Sequence, residues 1–338
     1  MYALGLSDRF NEIKKEKEKF QEQNLKIVQG QNIMLEEKVQ EKTKDLQEAY
    51  NQVQVANEEL LQSQEEVSAQ RDTLEKQNLA LNRYNTRIGK SFQAAKLIQN
   101  AILKSSAEFQ NFFSEHFIIY MPKGIVSGDF YWVNQIGKKL VVVAADCTGH
   151  GIPGAFMTII GHNLLDKIVK TEQILHPPTL LDRLHEEVQL MLLNDGKQNT
   201  DAGLDAAVVI IEPQAEDFSI TFTGAKRNLL YYDSPQQLWT ELKGTRKSIG
   251  GVQPESIQFE EHKIILPAQS LIYFGSDGLE DQNNHKRKKF GSKRLMKLLG
   301  EIVDKPLIEQ RNIIQSTIKT YMGDADQRDD ILWMGLKL

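Results

Sequence analysis

From Leu25 onward an apolar residue recurs at every seventh position: Val39, Leu46, Val53, Leu60, Val67, Leu74, Leu81, Ile88, Ala95 and Ile102, with only Asn32 breaking the column. Such spacing reads as one seam of a long helix that faces a partner helix. The companion column is polar: with the first column at d, the a positions carry Thr43, Tyr50, Asn57, Gln64, Arg71, Asn78 and Asn85. Polar a positions cost stability but fix register and partner number. A helix this polar is not stable alone, so a parallel homodimer is expected. Two readings of the helix stand: a passive dimerisation stalk, or a signalling helix whose weak seam lets it rotate or splay. Gly89 is a candidate hinge or break. Phe92 to Leu103 is apolar on all sides and is expected to pack on the C-terminal domain. All nine prolines lie after residue 120, which marks a change of architecture. The expected organisation is a coiled-coil helix over 1–88, a helical linker over 89–112 and a folded domain over 113–338.

Charge and composition exclude several classes. With 338 residues and a net charge of −5 the chain lacks a basic footprint, and nucleic acid is not an expected partner. A single cysteine rules out an intrachain disulfide framework and suits a reducing compartment. There is no apolar run of the roughly 18–20 residues that span a bilayer, and Met1 to Arg9 acquires charge too soon for a signal peptide. The expected location is the cytoplasm, as a free protein or as the cytoplasmic portion of a membrane receptor.

Beyond residue 115 short β-runs dominate. Strands are expected at 117–121, 130–136, 139–145, 206–212, 218–223, 229–233, 238–242, 257–266, 270–275 and 331–337, and helices at 153–170, 177–193, 291–300 and 306–322. Strands joined by short turns, with helices arriving in pairs, indicate an α+β fold with antiparallel sheets. No Walker A sequence and no GxGxxG opening a helix is present.

Four acidic positions border these strands. Asp129 precedes the run at Tyr131, Asp146 ends the run from Leu140 to Ala145, Asp277 follows the run from Leu271 to Phe274, and Asp329 with Asp330 precedes the terminal run. Antiparallel neighbours bring all of them to one sheet edge. Carboxylates crowded there repel one another and call for a neutralising charge. All-oxygen donors suit Mg²⁺ or Mn²⁺ and disfavour zinc. A pair of such cations points to phosphoester hydrolysis by activated water, with no covalent phospho-enzyme. Taken singly, each acid also fits a turn residue. Cys147 is read as a non-nucleophile, because no second catalytic partner stands at a recognisable offset. His150 is either a proton carrier beside the site or a loop residue. His162, His176 and His185 are read as packing or surface residues.

The run Ser127 to Trp132, the stretch Ala145-Asp-Cys-Thr-Gly-His-Gly-Ile-Pro-Gly-Ala-Phe-Met157, Gly224 to Arg227, Ser248 to Gly251, Ser276 to Leu279 and Gln327 to Asp330 occur in one order. Together they resemble the PPM superfamily of protein phosphatase 2C-like serine/threonine phosphatases, in its SpoIIE-like branch, over residues 95–338. The resemblance implies a PPM-type α-β-β-α sandwich over 113–338. It implies two or more Mn²⁺ or Mg²⁺ ions, with Asp146 bridging a pair and the Cys147 backbone carbonyl binding one. Asp277 and Asp329 would bind the other, and Asp129 would contact the site directly or through water; Asp330 would be a helper. The basic residue that holds substrate phosphate in animal relatives has no clear counterpart, and Lys123 is the candidate. The family's usual Thr two residues after the acidic pair is Leu332 here, which bears on strand packing. Many members carry a sensor ahead of a coiled-coil linker, and Tyr2 to Asn11 resembles the segment after the last membrane helix of seven-helix receptor members. The implied activity is dephosphorylation of a phosphoprotein, typically an anti-sigma-factor antagonist of a partner-switching pathway. The alternatives are a catalytically weak PPM-like binding scaffold and a small-molecule phosphoesterase.

Overall fold

The computed structural model describes residues 2–102, 106–149, 151–194, 197–198, 202–251, 253 and 256–338. The chain divides into two compact units, Met1–Asn85 and Thr86–Leu338. Helix α1 runs Tyr2–Ile102. It is unbroken at Gly89, because one helical glycine costs only about 1 kcal/mol relative to alanine. Within the first unit the column residues Val39, Leu46, Val53, Leu60, Val67, Leu74 and Leu81 are all exposed in the single chain. No helix of the described residues is long and apolar enough to cross a membrane.

In the second unit the strands are β1 His116–Met121, β2 Asp129–Ile136, β3 Lys139–Cys147, β4 Leu193–Asn194, β5 Lys197–Gln198, β6 Gly203–Pro213, β7 Asp217–Ala225, β8 Leu229–Asp233, β9 Leu238–Leu242, β10 Ile249–Gly250, β11 His262–Pro267, β12 Leu271–Gly275 and β13 Ile331–Lys337. The helices after α1 are α2 Ile152–Leu165, α3 Pro177–Leu192, the single turn α4 Gly278–Asp281, α5 Ser292–Ile302 and α6 Leu307–Met322. One sheet has the order β1-β13-β12-β8-β9; the other has β11-β7-β6-β3-β2, with β10 on β6. Every pairing within these two sheets is antiparallel.

The layering follows from side-chain alternation. In β3, Val141, Val143 and Ala145 pack with Leu164, Leu180 and Leu184 of α2 and α3, whereas Val142 and Ala144 pack with Ile272, Phe274 and Met334 of the opposite sheet. A strand covered on both faces must be apolar at every position, which is why Leu140 to Ala145 shows no alternation. Across the second sheet Tyr273 and Trp333 turn to Leu295, Leu299 and Ile314 of α5 and α6. The result is the expected α-β-β-α sandwich. Each fully buried Val or Leu in these layers is worth about 1.5–3 kcal/mol.

Two expectations need correction. The apolar pattern of 257–266 yields a ladder only from His262; Phe259 is instead a buried anchor against the α2/α3 layer. The linker after residue 88 is not covered on all sides: Leu97 and Ile98 are exposed, and the face of Phe92, Ala95, Gln99 and Ile102 is the one partly or fully buried. Its buried contact is polar: Gln99 Nε2 donates to the Ser127 carbonyl at 2.7 Å, and Ser127 N–H donates back to Gln99 Oε1 at 3.1 Å. A side-chain amide matches a backbone peptide in both directions, so Gln99 fixes the packed face of the helix at this point.

Candidate metal centre

The antiparallel register sets the site. Asp129 of β2 faces Asp146 of β3, and Asp146 faces Asp205 of β6, so three carboxylates stand in a row across three strands. Asp277 follows β12 and Asp329 precedes β13, and those strands pair so that Gly275 faces Trp333. The loop ahead of β2 is closely packed. A Cβ on Gly128 would lie 2.7 Å from the Gly149 carbonyl oxygen and 3.2 Å from that of Cys147. Only glycine lets the segment before Asp129 approach the segment after Asp146 so closely.

The two acids before β13 do different things. Asp330 is buried, and its two oxygens accept from Lys123 N–H and Gly128 N–H, each at 2.7 Å. It braces the Asp129 loop. Asp329 is exposed, and one of its oxygens accepts the Asp330 N–H at 2.9 Å. Lys123 enters through its backbone; its side chain is exposed. Cys147 is buried, and burial pushes its thiol well up from the ordinary range. Its N–H donates to the Gly128 carbonyl at 3.1 Å. His150 lies outside the described residues. His185 Nδ1 accepts from Gly250 N–H at 2.9 Å, and His176 contacts Thr179 and Glu261, so both act in packing and turns. His162 is buried among the residues of α2.

The basic group among the carboxylates is Arg227. Its Nη2 donates to Asp205 at 3.0 Å and lies 3.1 Å from an Asp146 oxygen, while Nη1 lies 2.9 Å from Asp277. Asp205 also accepts from the Ser248 hydroxyl at 2.6 Å. Neither Asp205 nor the role of Arg227 emerges from the sequence analysis. Asp205 carries the same signal as the other acids, an aspartate just before an apolar run, and Arg227 closes the motif Gly224-Ala-Lys-Arg227.

The charge balance remains negative. Burial raises the Asp146 carboxyl to about 7; Arg227 pulls it down, while Asp277, Asp205 and Asp329 push it up. Asp129 is raised well above the usual carboxylate range, first by burial and then by Asp146. Its Oδ2 is buried without a hydrogen-bond donor. Among the described residues no three acidic, His or Cys side chains close around one point as a preformed cation shell. Asp330 is committed to backbone N–H groups, and a guanidinium stands between Asp146 and Asp277. An all-oxygen donor set with surplus negative charge and an orphaned buried oxygen fits hard divalent cations.

Comparison with known proteins bears on the family and the fold. Residues 136–338 match the family model of stage II sporulation protein E (SpoIIE); Asp129 falls just ahead of that span. The fold is similar to the SiaA PP2C domain of Pseudomonas aeruginosa, with a TM-score of 0.67 and 28% identity over 75% of this chain and 98% of that one. It is also similar in fold to the PP2C phosphatase domain and regulatory fragment of SpoIIE from Bacillus subtilis, with a TM-score of 0.53 and 18% identity over 66% of this chain and 63% of that one. A third likeness is to the RsbU and RsbW domains of a Mycobacterium tuberculosis protein, with a TM-score of 0.50 and 16% identity over 66% and 60% of the two chains. No curated protein matches by sequence. With more than half of its length matched, the chain belongs to the SpoIIE family, and its second unit carries a PP2C-type phosphatase domain.

Proposed function

We propose that this chain is a Mn²⁺- or Mg²⁺-dependent phosphatase acting on phosphoserine or phosphothreonine in a protein. Its substrate class is a small anti-sigma-factor antagonist of a partner-switching pathway. The observation that carries this reading is the row Asp129, Asp146 and Asp205, joined to Asp277 through Arg227, at one end of a PP2C-type sandwich. Asp146, Asp277, Asp329 and the Cys147 carbonyl would hold the cations, with Asp129 beside them. When bound, the cations supply Lewis-acid activation of water and neutralise phosphoryl oxygens. Asp129 Oδ2 offers a buried acceptor for a cation or a proton. Asp330 holds the loop in place. Cys147 takes no covalent part, because a buried thiol raised by its surroundings is a poor nucleophile.

The exposed column of α1 supports a parallel homodimer, with a sensor upstream as the source of the signal. Gln99 ties the end of this helix to Ser127, two residues before Asp129. Rotation of the helix would therefore bear on the loop that carries a site residue and shift the domain between metal-poor and metal-competent states. The deciding experiment is hydrolysis of a generic phosphoester by the full chain with and without Mn²⁺. Turnover that appears with Mn²⁺ and vanishes on chelation is expected. A folded chain inert at every Mn²⁺ and Mg²⁺ concentration would overturn the assignment in favour of a binding scaffold.

A further inference from the structure

Arg227 is more constrained than a surface counter-ion needs to be. Lys226 before it adopts a left-handed backbone with φ of 55°, which is unfavourable for a long side chain. A Cβ on Gly224 would lie 2.0 Å from the Arg227 carbonyl oxygen, and one on Gly244 2.3 Å from the same atom. Two glycines and a strained turn thus fix the backbone from which the guanidinium reaches back over the sheet end. Strain kept at one position is a mark of function. The guanidinium then divides its donors. Nη2 is shared between Asp146 and Asp205, and Nη1 goes to Asp277. Asp205 is itself held by Ser248 from the far side.

These contacts are of two kinds. Asp146 and Asp277 are the acids that the proposed phosphatase chemistry assigns to divalent cations. Asp205 is the third carboxylate, and its other oxygen is occupied by the Ser248 hydroxyl. A cation that takes Asp146 and Asp277 must overcome a positive charge lying about 3 Å from each of them. A cation and a guanidinium drawn to the same carboxylates repel one another, so both groups cannot keep the same oxygens. The Asp205 contact survives the exchange. The guanidinium is then anchored through Nη2, and Nη1 is free to donate a charge-assisted hydrogen bond to a phosphoryl oxygen.

Resting on the phosphatase reading, we propose that Arg227 is a relay: it competes with the divalent cations for Asp146 and Asp277 and, once displaced but still held by Asp205, binds the phosphoryl group of the substrate. Lys123, the basic candidate from the sequence, has an exposed side chain and meets the site region through its backbone N–H. Asp205 and Ser248 are positioning residues for Arg227.

The test uses the full chain and the variants Arg227→Gln, Arg227→Lys and Asp205→Asn, with circular dichroism and thermal unfolding as checks of folding. Free Mn²⁺ is measured by electron paramagnetic resonance without substrate, and inhibition by inorganic phosphate is measured at saturating Mn²⁺. Arg227→Gln is expected to bind Mn²⁺ about tenfold or more tightly than the wild type, because a cation beside two ligands is gone. The same variant is expected to lose phosphate affinity by about tenfold or more. Arg227→Lys keeps the charge but has one nitrogen where Asp205 and the phosphoryl group each need one, so its Mn²⁺ binding stays near the wild type while phosphate binding falls; it carries the test if the Gln variant does not fold. Asp205→Asn is expected to lower phosphate affinity and leave Mn²⁺ binding within a few-fold. Collapse of Mn²⁺ binding in Asp205→Asn would make Asp205 a ligand and overturn the relay. Unchanged or weaker Mn²⁺ binding in Arg227→Gln overturns the competition, and unchanged phosphate inhibition in both Arg227 variants overturns the phosphate role. A wild-type chain that binds no Mn²⁺ overturns the phosphatase reading, and the relay with it; failure confined to the variants overturns the relay alone.

Discussion

At the residue scale, identity and role separate most clearly within adjacent pairs. Asp329 and Asp330 are chemically the same, yet one is exposed and the other has both oxygens consumed by backbone N–H groups. Removing the buried partner of two N–H donors leaves those donors unsatisfied, at about 1–3 kcal/mol each. Asp330→Ala should therefore lower stability in urea unfolding by more than Asp329→Ala, whose side chain accepts one bond at the surface. Equal midpoints for the two would contradict the brace. Asp146→Asn and Asp277→Asn should keep the fold but remove Mn²⁺-dependent phosphoester turnover, by more than the ~10²–10⁴-fold of a single acid–base group. Near-normal rates in both would end the metal assignment. Cys147→Ser should retain substantial activity, since its thiol lies in the core and only its carbonyl is assigned a role; a trapped phospho-cysteine in the wild type would reverse that. Asp129, Asp146, Asp277 and Asp329 stand out in the sequence as carboxylates at the ends of apolar runs, whereas Asp205, with the same signal before its own run, is not singled out there. Arg227 is not legible, because an arginine two residues beyond a strand is indistinguishable from solvent-facing charge until three carboxylates are seen around it.

At the level of elements, strand content was readable because the two sheets are covered on both faces and leave continuous apolar runs such as Leu140 to Ala145. The exceptions arise where one apolar residue serves as an anchor. Phe259 is buried without entering a ladder, and its ring also lies under Lys247 Nζ at 4.7 Å. The end of α1 shows the reverse case, since the most deeply buried residue on its packed face is the polar Gln99, which periodicity in apolar residues cannot reveal. Gln99→Ala should destabilise the second unit by about 1–3 kcal/mol, because the Ser127 N–H loses its acceptor in a buried position. The Ser127 carbonyl keeps the Thr158 hydroxyl at 3.2 Å, which limits the loss. The same change should raise the Mn²⁺ concentration needed for turnover, as the Asp129 loop loosens. An unchanged urea midpoint together with an unchanged Mn²⁺ midpoint would show that the helix end and the site are uncoupled.

For the whole molecule, two independent signals are legible in the sequence, the seven-residue column of α1 and the continuous apolar runs of the sandwich. The polar seam predicts a dimer of modest stability. Replacing Asn57, Gln64 and Asn78 with Ile should strengthen it and shift the metal requirement, and deleting residues 1–88 should give a monomer with altered basal activity. Sedimentation and phosphoester assays check both. Monomers of identical rate and Mn²⁺ dependence, with and without the segment, would make the helix neither dimeriser nor regulator. The topology of the second unit has a consequence in time. Strand β13 lies between β1 and β12 although it comes after both in the chain, and β1 has no other neighbour in its sheet. While the polypeptide is being made, at about 5–20 residues per second, β1 waits unpaired through nearly the whole domain. Asp329 and Asp330 then arrive on the leading end of the strand that closes the sheet. Asp329 is thus the last of the site's acids to be placed, after Asp129, Asp146 and Asp205 already stand in their row.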